Sequence, residues 1–434
     1  MQLLNIEIPE WMSVLLSFLL ALIITCVSIP SIIKVARDKG LYDKPNGRGS
    51  HNGNVPTLGG VAIFAGFMIS ASIFVLPDIF KEFKFIIAAL ILLFFTGIKD
   101  DILVIDPKKK LFAQIGGAGM ITILGNIRIT SFHGFAAITE LSYIISVIFS
   151  ILVIIVIING FNLIDGINGL ASGVATITAM TFGVWFYLVN EISYCIFSFA
   201  LAGALVAFFR FNVFSKRNKI FLGDTGSLSV GLIISMLAIH FIEFDFLAKT
   251  EYNLKATPAI TFGILIVPLF DTLRIFIIRI FGGDSPFKAD KKHIHHRLID
   301  LGCSHFRASL IIMSVNLLFI LLVFLLKDLG NLKLLIILLA GAAGLSSEKS
   351  MNLRLDFLRV FRKIKALSQL NSETNLNLEE RGDNSFRLNL LYTLPFWKAY
   401  PDNPVLSRFE LRQTFNIGTR RGDIISLGFE ENKI

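Results

Sequence analysis

The 434-residue chain is 54% hydrophobic, contains 41 Phe, has only 17% charged residues and a mean hydropathy of +0.70. A soluble protein of this composition would expose too much apolar surface, so the sequence reads as an all-α polytopic membrane protein. Its net charge of +9 fits basic cytoplasmic loops, and no basic run is interleaved with aromatics in a soluble domain, which argues against nucleic acid as a partner.

A window of about 20 residues finds about eleven apolar spans. They lie near 11–33, 57–76, 84–98, 111–125, 141–158, 169–189, 193–210, 227–242, 257–281, 308–326 and 331–345. The first follows an acidic leader and lacks a small-residue cleavage site, so it reads as a retained helix rather than a removed signal. With residues 1–10 outside, the inside loops hold 17 Lys and Arg and the outside loops 6. That bias sets the N-terminus outside and the C-terminus in the cytoplasm. Cys26, Cys195 and Cys303 have no metal-like spacing and read as small buried residues.

Residues 1–345 form the expected membrane domain and 346–434 a small cytoplasmic tail of α/β character. Within the tail, 353–368 places Leu353, Phe357, Val360, Phe361 and Ile364 on one helical face, with Arg359, Arg362, Lys363 and Lys365 around them. Two readings stand: a basic amphipathic helix on the inner leaflet, or a helix packed on the tail's own core. Alternation at Phe386–Leu390 suggests a few strands further on.

Five polar motifs fall between spans, all on the cytoplasmic side of this topology. Gly97-Ile98-Lys99-Asp100-Asp101 ends one span, and Lys108, Lys109 and Lys110 open the next. Adjacent carboxylates need a cation or a proton to balance them. The pair is either a base or metal-organising element beside a phosphate-binding lysine, or a solvated helix end. Asn162-Leu163-Ile164-Asp165-Gly166-Ile167-Asn168-Gly169 is a turn before an apolar span. Its Asn162, Asp165 and Asn168 recur every three residues, so a tight helical turn would put their oxygens on one side, suiting Mg²⁺. The alternative is an ordinary capped helix start.

Phe221-Leu222-Gly223-Asp224-Thr225-Gly226 offers a second oxygen ligand, Asp224. Asp224, Thr225 or Ser227 could equally cap the next helix. Phe221 could stack on a nucleobase or simply face lipid. Asp271-Thr272-Leu273-Arg274 is polar, with no role assigned from sequence. His293-Ile294-His295-His296-Arg297 has no nearby Cys, so anion binding suits it better than zinc; a solvated basic loop is the alternative.

In this order the five motifs, with Gly40–Pro45 and Pro56–Gly60, resemble the polyprenyl-phosphate N-acetylhexosamine-1-phosphate transferases over residues 11–345. The resemblance implies that Asn162 and Asp224 hold Mg²⁺, with Mn²⁺ as an alternative. It implies that Phe221 stacks on uracil, that Asn168 approaches the uridine, and that Asp165 belongs to the same substrate-binding turn. Asp100 and Asp101 fall on the acidic pair, Asp100 as base or organiser of the lipid phosphate, and Lys110 on the lysine facing that phosphate. His293, His295 and His296 match the His-x-His-His loop of the branch that uses UDP-GlcNAc, with Arg297 completing the loop. Many bacterial relatives carry Asp where this chain has Asn168; an amide cannot act as a base, so Asn168 should bind rather than catalyse.

The implied activity is transfer of GlcNAc-1-phosphate from UDP-GlcNAc to undecaprenyl phosphate at the inner membrane, with UMP released. Membrane lipids and a second copy in a homodimer complete the expected partners. A transporter of nucleotide sugars or lipid-linked sugars is the rival from another class. It would need polar groups lining a path through the membrane, whereas here the acidic residues cluster at helix ends.

Overall fold

The computed structural model describes residues 9–42, 55–132, 140–248, 254, 256–281, 283 and 293–346, together with four strand segments between 376 and 431. The amphipathic segment expected at 353–368, and Asp43–Pro45 of the first glycine motif, lie outside the described residues. The chain divides into two compact units, Met1–Ser346 and Ser347–Ile434.

The first unit is helical. Its helices are α1 (Glu10–Asp38), α2 (Gly59–Phe74), α3 (Phe80–Leu103), α4 (Pro107–Gly119), α5 (Tyr143–Ile164), α6 (Leu170–Leu188), α7 (Ile192–Phe209), α8 (Gly223–Ala248), α9 (Thr257–Ile264), α10 (Ile266–Phe281), α11 (Ile294–Asp300), α12 (His305–Leu325) and α13 (Asn331–Ser346). Short π-helical turns extend α4 over Met120–Leu124 and α7 over Arg210–Phe214. Every apolar stretch expected from hydropathy coincides with helix. Length and apolarity support six membrane crossings among the described residues, or seven if one bent pair is a single crossing. α2 and α13 are shorter apolar helices of 16 residues.

That bent pair corrects the straight span expected at 257–281. α9 and α10 meet around Leu265 at 86°. Pro268 explains the break: it has no N–H to give the carbonyl of Ile264, four residues back, and its ring crowds that carbonyl.

α7 and α8 are the most enclosed of the crossing helices. α7 packs against α1, α2 and α6, and α8 against α3 and α5. Apolar lipid tails give no hydrophobic drive between helices, so close packing must supply the attraction. The buried Ala200, Ala202, Gly203, Ala204 and Ala207 of α7 let neighbouring backbones approach. Hydroxyls add cross-links: Ser70 Oγ of α2 donates to the Ser17 carbonyl of α1 at 2.6 Å. On the outer surface, Leu15, Ile23, Val27, Ile144, Ile148 and Leu321 are exposed, as a lipid-facing belt requires.

The second unit contains an antiparallel sheet of β1 (Leu376–Arg381), β2 (Ser385–Thr393), β3 (Glu410–Gly418) and β4 (Phe429–Glu431), in that order. The register aligns Leu378, Leu388, Phe415 and Phe429 in one row across all four strands. The alternation read at 386–390 lies in β2.

Candidate active site

The polar motifs converge around the N-terminus of α8. Residues 56–60 run beside residues 221–222: Phe221 N–H donates to the Pro56 carbonyl at 2.8 Å, Gly59 N–H to the Phe221 carbonyl at 2.9 Å and Gly60 N–H to the Leu222 carbonyl at 2.9 Å. Gly97 of α3 lies directly on the first turn of α8; a Cβ there would sit 2.4 Å from Thr225 Cα. Gly223 has φ +72°, and a Cβ on it would meet the Thr57 carbonyl at 2.1 Å and Asp101 Oδ1 at 2.7 Å. Glycine is therefore demanded both by conformation and by contact.

Asp101 caps α8 from a different helix. Its Oδ1 accepts from Asp224 N–H at 2.7 Å, and its Oδ2 from Thr225 N–H at 3.0 Å and Thr225 Oγ1 at 2.5 Å. The cap thus comes from α3, 123 residues away, and not from the local Asp224, Thr225 or Ser227 that the sequence offered. Burial pushes the Asp101 carboxyl up to about 7 while the Thr225 and Asp224 donors oppose that shift. Positioning α8 occupies both of its oxygens.

Asp100 points elsewhere. Its Oδ1 accepts from Ile105 N–H at 2.7 Å, and its Oδ2 lies 3.1 Å from Lys110 Nζ. Lys110 also bonds Asp224 Oδ1. Asn162, in the last turn of α5, donates from Nδ2 to the same Asp224 Oδ1 at 2.6 Å and to Ser227 Oγ at 2.8 Å. Burial works against the Lys110 ammonium, but the Asp224 and Asp100 carboxylates outweigh it and raise its pKa. Four elements, α3, α4, α5 and α8, thus meet at one cluster.

α5 stops at Ile164, so Asn162, Asp165 and Asn168 do not share one continuous helix as their spacing suggested. Asp165 sits in the following turn. Burial and the neighbouring charges of Asp224 and Asp101 raise its pKa well above the usual carboxylate range, against a lowering bond from the Gly223 backbone. Asn168 is half-buried, and its carbonyl accepts from Ser309 Oγ of α12 at 2.7 Å. Phe221 is half-buried with Lys219 Nζ 5.6 Å from its ring centre.

These oxygens suit a hard divalent cation. Asp165 and Asp224 crowd each other's charge, and a dication would relieve that repulsion. Among the described residues no three His, Cys, Asp or Glu side chains form a ready metal cage. Mg²⁺ is usually held by one or two carboxylates, with waters and substrate phosphates filling the remaining positions. The donor set therefore fits Mg²⁺ better than a zinc site built of histidines.

The histidine motif, expected in a loop, instead opens α11, with His293 just before the helix and His295, His296 and Arg297 within it, and His295 packs against the Asp165–Gly169 turn. His293 and His295 are buried, and their rings stack at 5.6 Å with 13° between planes. His295 Nε2 touches Gly166, where a Cβ would lie 2.4 Å away. Burial, then the charge of His296, pushes His295 down to about 3, so it is neutral at physiological pH. Arg297 lies in the first turn of α11, with its chain continuing to Asp300.

Two residues of this region carried no role in the sequence reading. Asn212, in the π turn after α7, is buried; its Oδ1 accepts from Gly169 N–H at 2.6 Å and its Nδ2 donates to the Ile220 carbonyl at 2.8 Å. It ties the Asn162–Gly169 turn to the Phe221–Gly226 turn. Only its place before the basic Lys216–Lys219 loop could have marked it. Asp271 is the second, in a motif that was visible but unexplained.

Residues 83–242 match the model of glycosyl transferase family 4. A probable undecaprenyl-phosphate N-acetylglucosaminyl 1-phosphate transferase of Bacillus subtilis is 30% identical over 70% of this chain and 83% of its own length. The chain belongs to this family. Undecaprenyl-phosphate alpha-N-acetylglucosaminyl 1-phosphate transferases of Yersinia pestis and Escherichia coli K12 are 28% and 27% identical, over 64% of this chain and 75% and 74% of theirs. The family model ends within α8 and so includes the Asp100, Lys110, Asn162 and Asp224 cluster but not the histidine loop.

Proposed function

We propose that the protein transfers GlcNAc-1-phosphate from UDP-GlcNAc to undecaprenyl phosphate and releases UMP. The observation that carries this reading is Lys110 bridging Asp100 and Asp224 beside Asn162, at the helix ends facing the basic loops. A lysine between carboxylates presents a fixed positive charge where an anionic phosphate can exchange for one carboxylate contact. Family membership and the names of the relatives support the same reaction.

An oxygen of the lipid phosphate attacks the β-phosphorus of UDP-GlcNAc. The new bond joins that oxygen to the phosphorus; the bridging bond to the α-phosphate breaks, and its electron pair leaves on UMP. Lys110 holds the lipid phosphate in line, and Asp100 holds Lys110. The lipid phosphate is largely ionised near neutral pH, so Asp100 organises more than it removes a proton. Asp224 and Asn162 would hold Mg²⁺, which when bound neutralises the pyrophosphate and its developing charge. Asp101 keeps the first turn of α8, and hence Asp224, in place. Phe221 stacks on uracil, with Asn168 and Asp165 on the uridine side. His293, His295, His296 and Arg297 face the pyrophosphate and sugar.

The excess of basic residues in the loops that carry these groups supports a cytoplasmic site with the N-terminus outside. In a bacterial cell the enzyme would sit in the inner membrane. The test is purified protein with labelled UDP-GlcNAc, undecaprenyl phosphate and Mg²⁺. Labelled lipid and stoichiometric UMP are expected. Label transferred only from another UDP-N-acetylhexosamine would change the donor, and no labelled lipid from any of them would sink the reaction.

A further inference from the structure

Asp271 sits in the second turn of α10 and is 3% exposed. A buried carboxylate persists where donors meet it. Its Oδ2 lies 2.9 Å from His293 Nδ1, and its Oδ1 accepts from Ile294 N–H at 3.2 Å. Arg274 lies 3.7 Å from the same Oδ1. One carboxylate thus takes both the first histidine of the loop and the first backbone N–H of α11. An ionised carboxylate against Nδ1 requires a proton there, which in the neutral ring leaves Nε2 as the acceptor.

The helix that carries Asp271 is itself anchored to the catalytic cluster. Pro268, three residues earlier, packs on Gly160 of α5, where a Cβ would lie 3.1 Å from the proline. Gly160 precedes Asn162 by two residues on that helix. Beyond His293, the buried His295 reaches Gly166 in the turn that follows α5. His295 Nε2 has no hydrogen-bond partner within the protein. Both ends of the α5 turn are therefore gripped, by α10 below and by the histidine loop above, and Asp271 is the link between the two grips.

We propose that Asp271 is the positioning residue of the histidine loop. It fixes the His293 tautomer and seats α11, so that the buried His295 stays packed against Gly166 in the turn that carries Asn168. The inference rests on the reaction proposed above for its kinetic consequence, while the seating of the loop stands without it. For histidines that bind a metal, losing such an orienting carboxylate costs about 10–100-fold, and a loss of that order is the one expected here.

Two measurements on the full-length protein in detergent test this. The first is hydrogen exchange of residues 293–300 in Asp271→Asn and Asp271→Ala. Exchange there should rise at least about tenfold, with α1 (residues 10–38) unchanged. Unchanged exchange at 293–300, or a rise through the whole bundle, overturns the seating role even if no transfer reaction is ever observed. The second is steady-state kinetics of Asp271→Asn, His293→Ala and the double variant. In Asp271→Asn, kcat/KM for UDP-GlcNAc should fall about 10–100-fold with the KM for undecaprenyl phosphate within about twofold. In the His293→Ala background the same change should cost less than about threefold, as expected for residues acting as one unit. Equal losses for both substrates, or losses that multiply fully in the double variant, would show that Asp271 does not act through His293. A wild-type protein with no transferase activity would sink the reaction and leave the exchange result to decide on Asp271.

Discussion

Carboxylates lie near both ends of α8, and they are handled in opposite ways. Asp224 and Glu243 are 19 residues apart, about 28 Å along the helix. At the far end, Glu243 accepts from Thr130 N–H at 2.9 Å and from Thr130 Oγ1 at 2.5 Å, using both oxygens. Beside it, Arg128 donates to Ser146 Oγ at 2.8 Å, and His240 meets Glu191 at 3.1 Å. At that end the carboxylates of Glu243 and Glu191 each meet a partner. At the near end Asp224, Asp165 and Asp101 crowd one another, and Lys110 is shared between Asp100 and Asp224. A matched polar network holds a fold together. A crowded, charge-rich one costs stability and is retained where a ligand completes it.

The sharpest way to break this contrast is Asp224→Asn. The amide keeps the size and removes the charge that would face Mg²⁺. Transferase activity should fall by several kcal/mol of transition-state stabilisation, on the order of a thousandfold, while thermal unfolding in detergent stays level or shifts upward. Near-normal turnover at saturating Mg²⁺ would take Asp224 out of the core chemistry. Phe221→Ala comes next. Lost stacking is worth about 1–3 kcal/mol, so UMP inhibition and the KM for UDP-GlcNAc should weaken about 5- to 150-fold, with Phe221→Tyr mild. Unchanged UMP binding would place the ring against lipid or core.

Glu243→Ala tests the far end. It strands the Thr130 donors and should cost about 1–3 kcal/mol of stability, with specific activity of the folded fraction within about twofold. A large kinetic loss with unchanged stability would mean that the far end also serves catalysis. The smallest effect should come from removing residues 383–434. Every catalytic motif precedes residue 298, so specific activity should hold within about twofold. An inactive but well-folded truncation would make the tail part of the site.

Hydropathy located the helices because lipid demands continuous apolar helix, and the five motifs marked the candidate site because polar groups stand out against that background. Pairings across the chain were not legible. Nothing near Asp101 announces that it caps a helix 123 residues later, and nothing near Asp271 announces His293, 22 residues on. Asn212 belongs to no motif, since its role is to hold two turns together through their backbones. The break after α9 had signals, Gly263 and Pro268, but apolar residues on both sides hid them from a hydropathy window.

That break also bears on the bilayer itself. α9 has eight residues, which reach about 12 Å, less than half of a hydrocarbon core of about 30 Å. α10 turns away at 86° with Leu273, Ile277 and Ile280 exposed along it. α9 is buried among its neighbours, so lipid at this place meets α10, whose exposed apolar row runs across the direction of α9. A helix turned this way covers little of the bilayer's depth and can lie along its surface, as an interfacial amphipathic helix does.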